Sequence, residues 1–274
     1  MLDPLPRIVF VHGSVMGGRP TWSGQRELGD RFRLEFMERP GFPPNPPVDH
    51  VDFEEHAVLV AEAVGDGAHL VGHSYGGVIT LLAAATVPNA IHSLTVIEPP
   101  AMRVAQGNPV VDEFIQGGIE WWQTGPTDDP EAFLRGFLTH VGSDYAPPSP
   151  LPPQLEQGAR TLIVERSPWE AEVDLDALAA AGFPKLVVTG AHLAAFDAVC
   201  DVLVERLAAE RLVLQGYGHT AQRHPEFNEA LAEFVVRAET QRRGEASPPP
   251  CARRFDAPRR PARRRAGAPS GCRA

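Results

Sequence analysis

The stretch LVGHSYGG, residues 70–77, joins an apolar run to a segment with helical character and places a serine between glycines at the junction. The residues AHLVG (68–72) are apolar except for His69 and predict a strand. The residues YGGVITLLAAATV (75–87) are nearly all apolar, and Pro88 follows them, which predicts a buried helix that ends there. This stretch therefore predicts a strand, a sharp turn and a helix.

Gly72 and Gly76 flank Ser74 in a GxSxG pattern, and a strand-turn-helix setting is the context this pattern needs to present a nucleophile. Glycines leave the tight turn unobstructed, and the N-terminus of the helix directs its positive end toward developing negative charge. We predict that Ser74 is a catalytic nucleophile. The alternative is a serine that only caps the helix.

Strands and helices alternate along most of the remaining chain. Further strands are predicted at 7–13, 32–42, 93–98, 184–190 and 211–216, and further helices at 53–65, 196–210 and 225–239. Alternation at this pitch predicts an α/β fold with a mostly parallel sheet covered by helices on both faces. Residues 99–182 are mostly helical and interrupt the alternation, so we expect a lid at about 101–180 inserted after the fourth strand, within one domain over 1–241.

Composition excludes several classes of protein. The chain has 274 residues, of which 43% are hydrophobic and 22% charged, enough for one large core. No run of about 18 apolar residues occurs, and the N-terminus lacks the pattern of a signal peptide, so we expect a cytoplasmic protein without a membrane span. The three cysteines have neither disulfide nor metal-ligand spacing, and Cys200 is expected in the core.

Charge is divided unevenly along the chain. Ten of the 25 basic residues lie in 242–274 against two acidic ones, which gives that segment +8 and leaves 15 basic and 33 acidic residues, or −18, for 1–241. An acidic body repels phosphates, so we expect no nucleic acid to bind the folded domain. The segment 242–274 is rich in proline and arginine and is predicted to be a disordered basic tail, either a passive extension or an arm for anionic surfaces.

Two loops at predicted strand ends complete the chemistry that a serine nucleophile requires. The loop His12-Gly13-Ser14 follows the first strand, and we predict that the backbone N–H groups of Ser14 and Tyr75 form an oxyanion hole. An ordinary strand-end turn is the alternative. His219, in GYGHTAQ after the last strand, is predicted to be the base that activates Ser74, the alternative being a solvated loop histidine.

The ordered motifs VFVHGS, ERPGF, LVGHSYGG, PKLVVTG and GYGH resemble those of the α/β-hydrolase superfamily over roughly residues 7–240. The resemblance implies the α/β-hydrolase fold, Ser74 as nucleophile, His219 as base and the N–H groups of Ser14 and Tyr75 as oxyanion hole. It disfavours relatives with an aspartate nucleophile, because position 74 is serine.

The triad acid departs from the family pattern. The family usually carries it where this chain has His192 and Leu193, and leucine cannot orient an imidazolium. Glu98, at the end of the preceding strand, is the predicted acid because some family members place it there and a glutamate can reach from a neighbouring strand. Asp197 is the rival, although as an N-cap of the helix 196–210 it has a structural explanation. The absence of any acid is the third possibility, and His192 is read as a loop histidine.

These residues predict hydrolysis of a carboxylic ester or lactone through an acyl-enzyme on Ser74, with no metal and no organic cofactor. The apolar lid predicts a small to medium, largely apolar small-molecule substrate, with Trp121 and Trp122 either lining its pocket or filling the lid core. Two other functions stay open: a cofactor-free lyase or oxygenase on the same fold, and a catalytically weak ligand-binding protein. The sequence predicts no oligomeric state.

Overall fold

Six parallel strands form one sheet in the computed structural model, which describes residues 5–244. The strands are β1 (Arg7–Val11), β2 (Arg33–Phe36), β3 (Ala68–His73), β4 (Ile91–Ile97), β5 (Lys185–Thr189) and β6 (Glu210–Val213). They lie in the order β2-β1-β3-β4-β5-β6, and every neighbouring pair is parallel. The predicted fold class is confirmed, and the sheet is entirely parallel within the described residues.

Nine α-helices lie within residues 5–244. They are α1 (Gly18–Thr21), α2 (Phe53–Val64), α3 (Tyr75–Thr86), α4 (Pro109–Thr124), α5 (Pro130–His140), α6 (Pro153–Ile163), α7 (Leu175–Ala180), α8 (Ala194–Leu207) and α9 (Phe227–Arg242). Residues of α2, α3 and α8 share one apolar cluster with alternate residues of the central strands. Residues of α9 cover the opposite face in a second cluster. Burial of both faces explains why β1 and β3 read as continuous apolar runs.

The helices α4 to α7 lie between β4 and β5, where the sequence predicts a lid. The helices α5 and α6 have their own apolar cluster with Val15, at the end of β1, and it includes Phe133, Leu134 and Leu155. Asp129 caps α5 by accepting a hydrogen bond from the N–H of Ala132 at 3.0 Å, which satisfies a donor that the first turn leaves free. The helices α5 and α6 therefore pack over the loop that follows β1, beside the carboxyl edge of the sheet.

Several predicted boundaries differ from those in the structure, and two of the differences change how a residue is interpreted. The second strand ends at Phe36 instead of residue 42, because the carboxylate of Glu38 turns to accept hydrogen bonds from the N–H groups of Gly18 and Arg19, at 2.6 and 3.0 Å. The helix α8 begins at Ala194, so the expectation that Asp197 is its N-cap is wrong.

The predicted tail 242–274 lies almost entirely outside the described residues, although Arg242 still belongs to α9. None of the helices in 5–244 has the length and apolar character needed to cross a membrane.

Candidate active site

Ser74 occupies a strained turn between β3 and α3. Its backbone has φ 53° and ψ −127°, in the region that side chains rarely adopt, and its side chain makes no capping hydrogen bond. A β-carbon at Gly72 would lie 2.3 Å from Thr80 Oγ1, and one at Gly76 would lie 2.4 Å from the carbonyl oxygen of His12. Both flanking glycines are therefore required by close packing, and helix capping does not account for the serine.

His219 lies beside Ser74 although 145 residues separate them in the chain. The distance from His219 Nε2 to Ser74 Oγ is 2.8 Å, and both side chains are buried. His73 donates a hydrogen bond from Nε2 to the carbonyl oxygen of His219 at 2.8 Å, and burial lowers the pKa of His73 to about 3, so its ring is neutral. His73, the residue before the nucleophile, thus holds the loop that carries His219.

Glu98 faces the other side of the His219 ring from the end of β4. Its Oε2 atom lies 3.5 Å from His219 Nδ1, and its Oε1 atom accepts hydrogen bonds from the N–H of Gly190 and the hydroxyl of Thr189, at 2.6 and 2.8 Å. The side chain is 0% exposed, so a solvent-facing strand end is excluded. Burial alone would raise the pKa of Glu98, but His192 and His219 outweigh burial and hold it well below its usual range. Glu98 is therefore a carboxylate.

The rival acid, Asp197, has other partners. Its Oδ1 atom lies 2.7 Å from Thr189 Oγ1, which has one proton to donate to either Asp197 or Glu98, and 3.8 Å from the guanidinium of Arg211. His192 stands where the family usually carries the triad acid. Its Nδ1 atom lies 3.3 Å from Glu98 Oε2. The geometry thus brings Ser74, His219 and Glu98 together.

The loop after β1 approaches the nucleophile closely. A β-carbon at Gly13 would lie 2.8 Å from Ser74 Cβ, so the next peptide group can approach the reacting oxygen. Tyr75 is the first residue of α3, and its N–H is not used within the helix. The Ser14 hydroxyl donates to Glu165, which orients this residue. Gly13 and Tyr75 thus both adjoin Ser74, and the oxyanion hole formed by the N–H groups of Ser14 and Tyr75 stays a prediction.

A buried ion pair contacts this loop, and the sequence did not predict it. Arg39 Nη2 lies 2.9 Å from Glu165 Oε1, and the two side chains are 1% and 2% exposed. Arg39 also donates to the carbonyl oxygen of Gly13 at 2.9 Å and to His56 Nδ1 at 3.1 Å. Burial raises the pKa of Glu165 against the opposing effect of Arg39. The pair therefore holds two adjacent residues of this loop, Gly13 through Arg39 and Ser14 through Glu165.

A small, largely enclosed cavity of about 30 Å³ adjoins Ser74. Its walls are mainly apolar and aromatic and include Phe114, Trp122, Phe137, Trp169 and Phe196. An adjoining, more open pocket leads outward past Tyr145, Tyr217 and Arg223.

The two predicted tryptophans lie in different places. Trp122 lines the enclosed cavity, whereas Trp121 packs within the lid on Phe133, where a β-carbon at Gly136 would lie 2.1 Å from its ring. The position of Trp122 therefore supports the prediction that it lines the substrate pocket, and the position of Trp121 does not.

Two groups of side chains within residues 5–244 have donor atoms close enough to hold a metal ion. One is Glu98, His192 and His219, whose atoms already face one another in the site. The other is His69, His92 and Glu239, near the amino-terminal ends of β3 and β4. Arg242 donates two hydrogen bonds to Glu239, at 3.0 and 2.9 Å, so a cation there would compete with a guanidinium.

Comparison with known proteins places this geometry among hydrolases. A family model described as "Alpha/beta hydrolase family" matches residues 8–266. The pimeloyl-(acyl-carrier protein) methyl ester esterase of Methylococcus capsulatus is 40% identical over 93 residues, 34% of this chain and 36% of that protein. The enzyme of the same name from Salmonella heidelberg is 28% identical over 158 residues, 57% of each protein. The chain thus spans only about a third to somewhat over half the length of these relatives.

A solved structure shows the same fold. The alpha/beta hydrolase from Sphaerobacter thermophilus is 22% identical, with a TM-score of 0.60 over 84% of this chain and 93% of that one.

Proposed function

Because the chain belongs to the alpha/beta hydrolase family, we propose that it hydrolyses carboxylic esters or lactones of small to medium, largely apolar substrates through an acyl-enzyme on Ser74. The observation that carries the proposal is the 2.8 Å contact between Ser74 Oγ and His219 Nε2 at a strained turn. A serine hydroxyl becomes a nucleophile at neutral pH only when a neighbouring base accepts its proton.

In the first half of the reaction, His219 Nε2 takes the proton of Ser74 as Oγ forms a bond to the carbonyl carbon. The N–H groups of Ser14 and Tyr75 donate hydrogen bonds to the resulting oxyanion. As the carbon–oxygen bond to the leaving group breaks, His219 gives the proton to the departing alcohol. Glu98 stabilises the imidazolium that exists between these two transfers.

In the second half, water gives a proton to His219 Nε2 and attacks the acyl carbon. The tetrahedral intermediate collapses, the bond to Ser74 Oγ breaks, and the proton returns to that oxygen. The acid product leaves and the hydroxyl is restored. The two halves together consume one water molecule and use only side chains and backbone groups of this chain.

The cavity supports an apolar acyl group. Its aromatic walls offer few polar partners, so a charged acyl chain would lose hydration without compensation. The curated relatives act on a methyl ester, which supports an ester substrate for this chain as well.

The test is a series of p-nitrophenyl esters of increasing acyl length, followed by lactones, assayed with the native chain and with Ser74→Ala. We expect turnover with short and medium acyl groups and its loss, by roughly 1000-fold or more, in the variant. A fluorophosphonate should add one covalent adduct, on Ser74, visible by mass spectrometry.

Two outcomes would refute hydrolysis in favour of the other functions. Ester turnover no faster than that of the Ser74→Ala protein would favour a ligand-binding protein. Phosphonate labelling of Ser74 without turnover of any ester or lactone would favour a lyase or oxygenase.

A further inference from the structure

His192 connects the acid Glu98 to the lid. Its Nδ1 atom lies 3.3 Å from Glu98 Oε2, and its Nε2 atom lies 3.1 Å from the carbonyl oxygen of Val141, the residue that follows α5. The ring packs beside Phe196, with centroids 5.7 Å apart, and a β-carbon at Gly142 would lie 3.3 Å from its Cδ2 atom. The side chain is therefore held on several sides and is not a freely solvated loop histidine.

The two contacts determine where its protons are. A carbonyl oxygen only accepts hydrogen bonds, so Nε2 of His192 carries a proton toward Val141. The Nδ1 atom of His192 lies 3.3 Å from Glu98 Oε2, and a carboxylate at that distance favours a proton on the ring nitrogen. A ring protonated at both nitrogens is the state that fits both contacts.

The surrounding charges agree with this state. Burial lowers the pKa of His192, but Glu98 and the more distant carboxylate of Asp197 outweigh burial and raise the pKa above its ordinary value. The opposing group is His219, whose ring centroid is 5.7 Å away. Phe196 and the Val141 carbonyl, which also face the ring, carry no titratable group. These charges favour a cation at His192, on the side of Glu98 away from the nucleophile.

We propose that His192 is a positioning residue, an imidazolium that shares Glu98 Oε2 with His219 and ties the acid to the lid at Val141. This inference rests on the proposed function, in which Glu98 orients His219. Sharing has two consequences. It fixes the carboxylate between two rings, and it places a positive charge near the base His219, whose ring centroid is 5.7 Å away.

Two measurements on the full 274-residue chain test this role. Nitrogen-15 spectra of the histidine rings should show both nitrogens of His192 protonated at pH 7. In His192→Phe, which keeps ring volume but removes the charge, the acidic limb of the kcat/KM profile should move to higher pH by about one unit, because His219 then loses a positive neighbour. His192→Gln, which is also uncharged, should move the limb in the same direction.

A merely structural role would lower the plateau of kcat/KM without moving the limb. His50→Phe is the matched control, since His50 is an exposed histidine paired only with Asp49 and Glu55, and it should leave the profile in place. An unprotonated ring nitrogen on His192 at pH 7, or an unmoved limb in both variants, would overturn the proposal. The ring spectra need no turnover, so they assess His192 separately from the proposed hydrolysis, which is tested by ester and lactone turnover of the native chain against Ser74→Ala.

Discussion

Gly13 packs against Ser74 so closely that a β-carbon on the glycine would lie 2.8 Å from Ser74 Cβ and 3.0 Å from the carbonyl oxygen of His73. Neither neighbour can yield easily, because the first is on a strained turn and the second is backbone. The loop that carries the Ser14 N–H therefore reaches the nucleophile only without a side chain at position 13.

We expect Gly13→Ala to displace the Ser14 N–H and lower kcat/KM by roughly 100-fold, the usual cost of one oxyanion donor. Steady-state turnover of a p-nitrophenyl ester measures the effect. Gly24→Ala is the matched control, because no atom lies within 4 Å of a β-carbon at Gly24, and it should retain activity. Equal activity of the two variants would mean that this loop holds no oxyanion donor.

Substitutions at Glu98 and Asp197 distinguish the two candidates for the triad acid. We expect Glu98→Gln to lower kcat by roughly 100-fold or more, because the amide no longer stabilises the imidazolium of His219. Asp197→Asn should change kcat by less than about 3-fold, since its contacts are with Thr189 and Arg211. Melting temperatures of both variants show whether the fold is kept. A large loss confined to Asp197→Asn would move the acid to that residue.

Much of the fold and the central part of the site could be predicted from local sequence. Ser74 and His219 each lie on a glycine-flanked turn at a strand end, and in a parallel sheet those ends share one edge. All six strands could be predicted from their short apolar segments, because a strand that is buried on both faces is apolar along most of its length. What a local pattern could not show was where β2 ends, because Glu38 leaves the strand direction to bind the N–H groups of α1.

The supporting contacts could not be predicted because they join distant parts of the chain. Arg39 meets Glu165 across 126 residues, and His73 meets the carbonyl of His219 across 146. Nothing near Arg39 in the sequence distinguishes it from a surface arginine. His192 was interpreted as a loop histidine for the same reason, since its carboxylate and its lid carbonyl come from separate elements.

Trp122 should set the acyl length that the enclosed cavity accepts. We expect Trp122→Leu to enlarge the cavity and raise the ratio of kcat/KM for octanoate over acetate p-nitrophenyl esters by about 10-fold. Trp121→Leu is the matched control, because Trp121 packs within the lid on Phe133, and it should lower the melting temperature without changing the ratio. An unchanged ratio in Trp122→Leu would place the acyl group elsewhere.

Buried neutral histidines should make the protein sensitive to acid. Burial lowers the pKa of His56 and of His73 to about 3, whereas an unfolded histidine titrates near ~6.5. Between these values the unfolded chain binds protons that the native state does not, so the free energy of unfolding falls as pH decreases. From pH 7 to 5 we expect a loss of about 2 kcal/mol per histidine.

Urea unfolding at pH 7 and pH 5 measures this loss, and in His56→Gln it should be smaller by about 2 kcal/mol. In the control His50→Gln the loss should not shrink, because hydrogen bonds to Asp49 and Glu55 raise the pKa of this exposed histidine. Identical losses in the native chain and in His56→Gln would show that His56 is protonated in the folded state.

The buried pair of Arg39 and Glu165 should be costly to break and less costly to replace. Glu165→Leu leaves the guanidinium of Arg39 without a counter-ion at 1% exposure, and we expect it to lower the free energy of unfolding by about 3–5 kcal/mol. In Arg39→Met/Glu165→Leu both charges are gone and the side-chain volumes are close, so stability should recover by at least about 2 kcal/mol relative to the single variant. Urea unfolding of the single and double variants measures both changes. Activity should stay low in the double variant, because the Ser14 hydroxyl has lost Glu165 and the Gly13 carbonyl has lost Arg39. If the double variant loses as much free energy of unfolding as Glu165→Leu and Arg39→Met lose together when each is made alone, the two charges act independently.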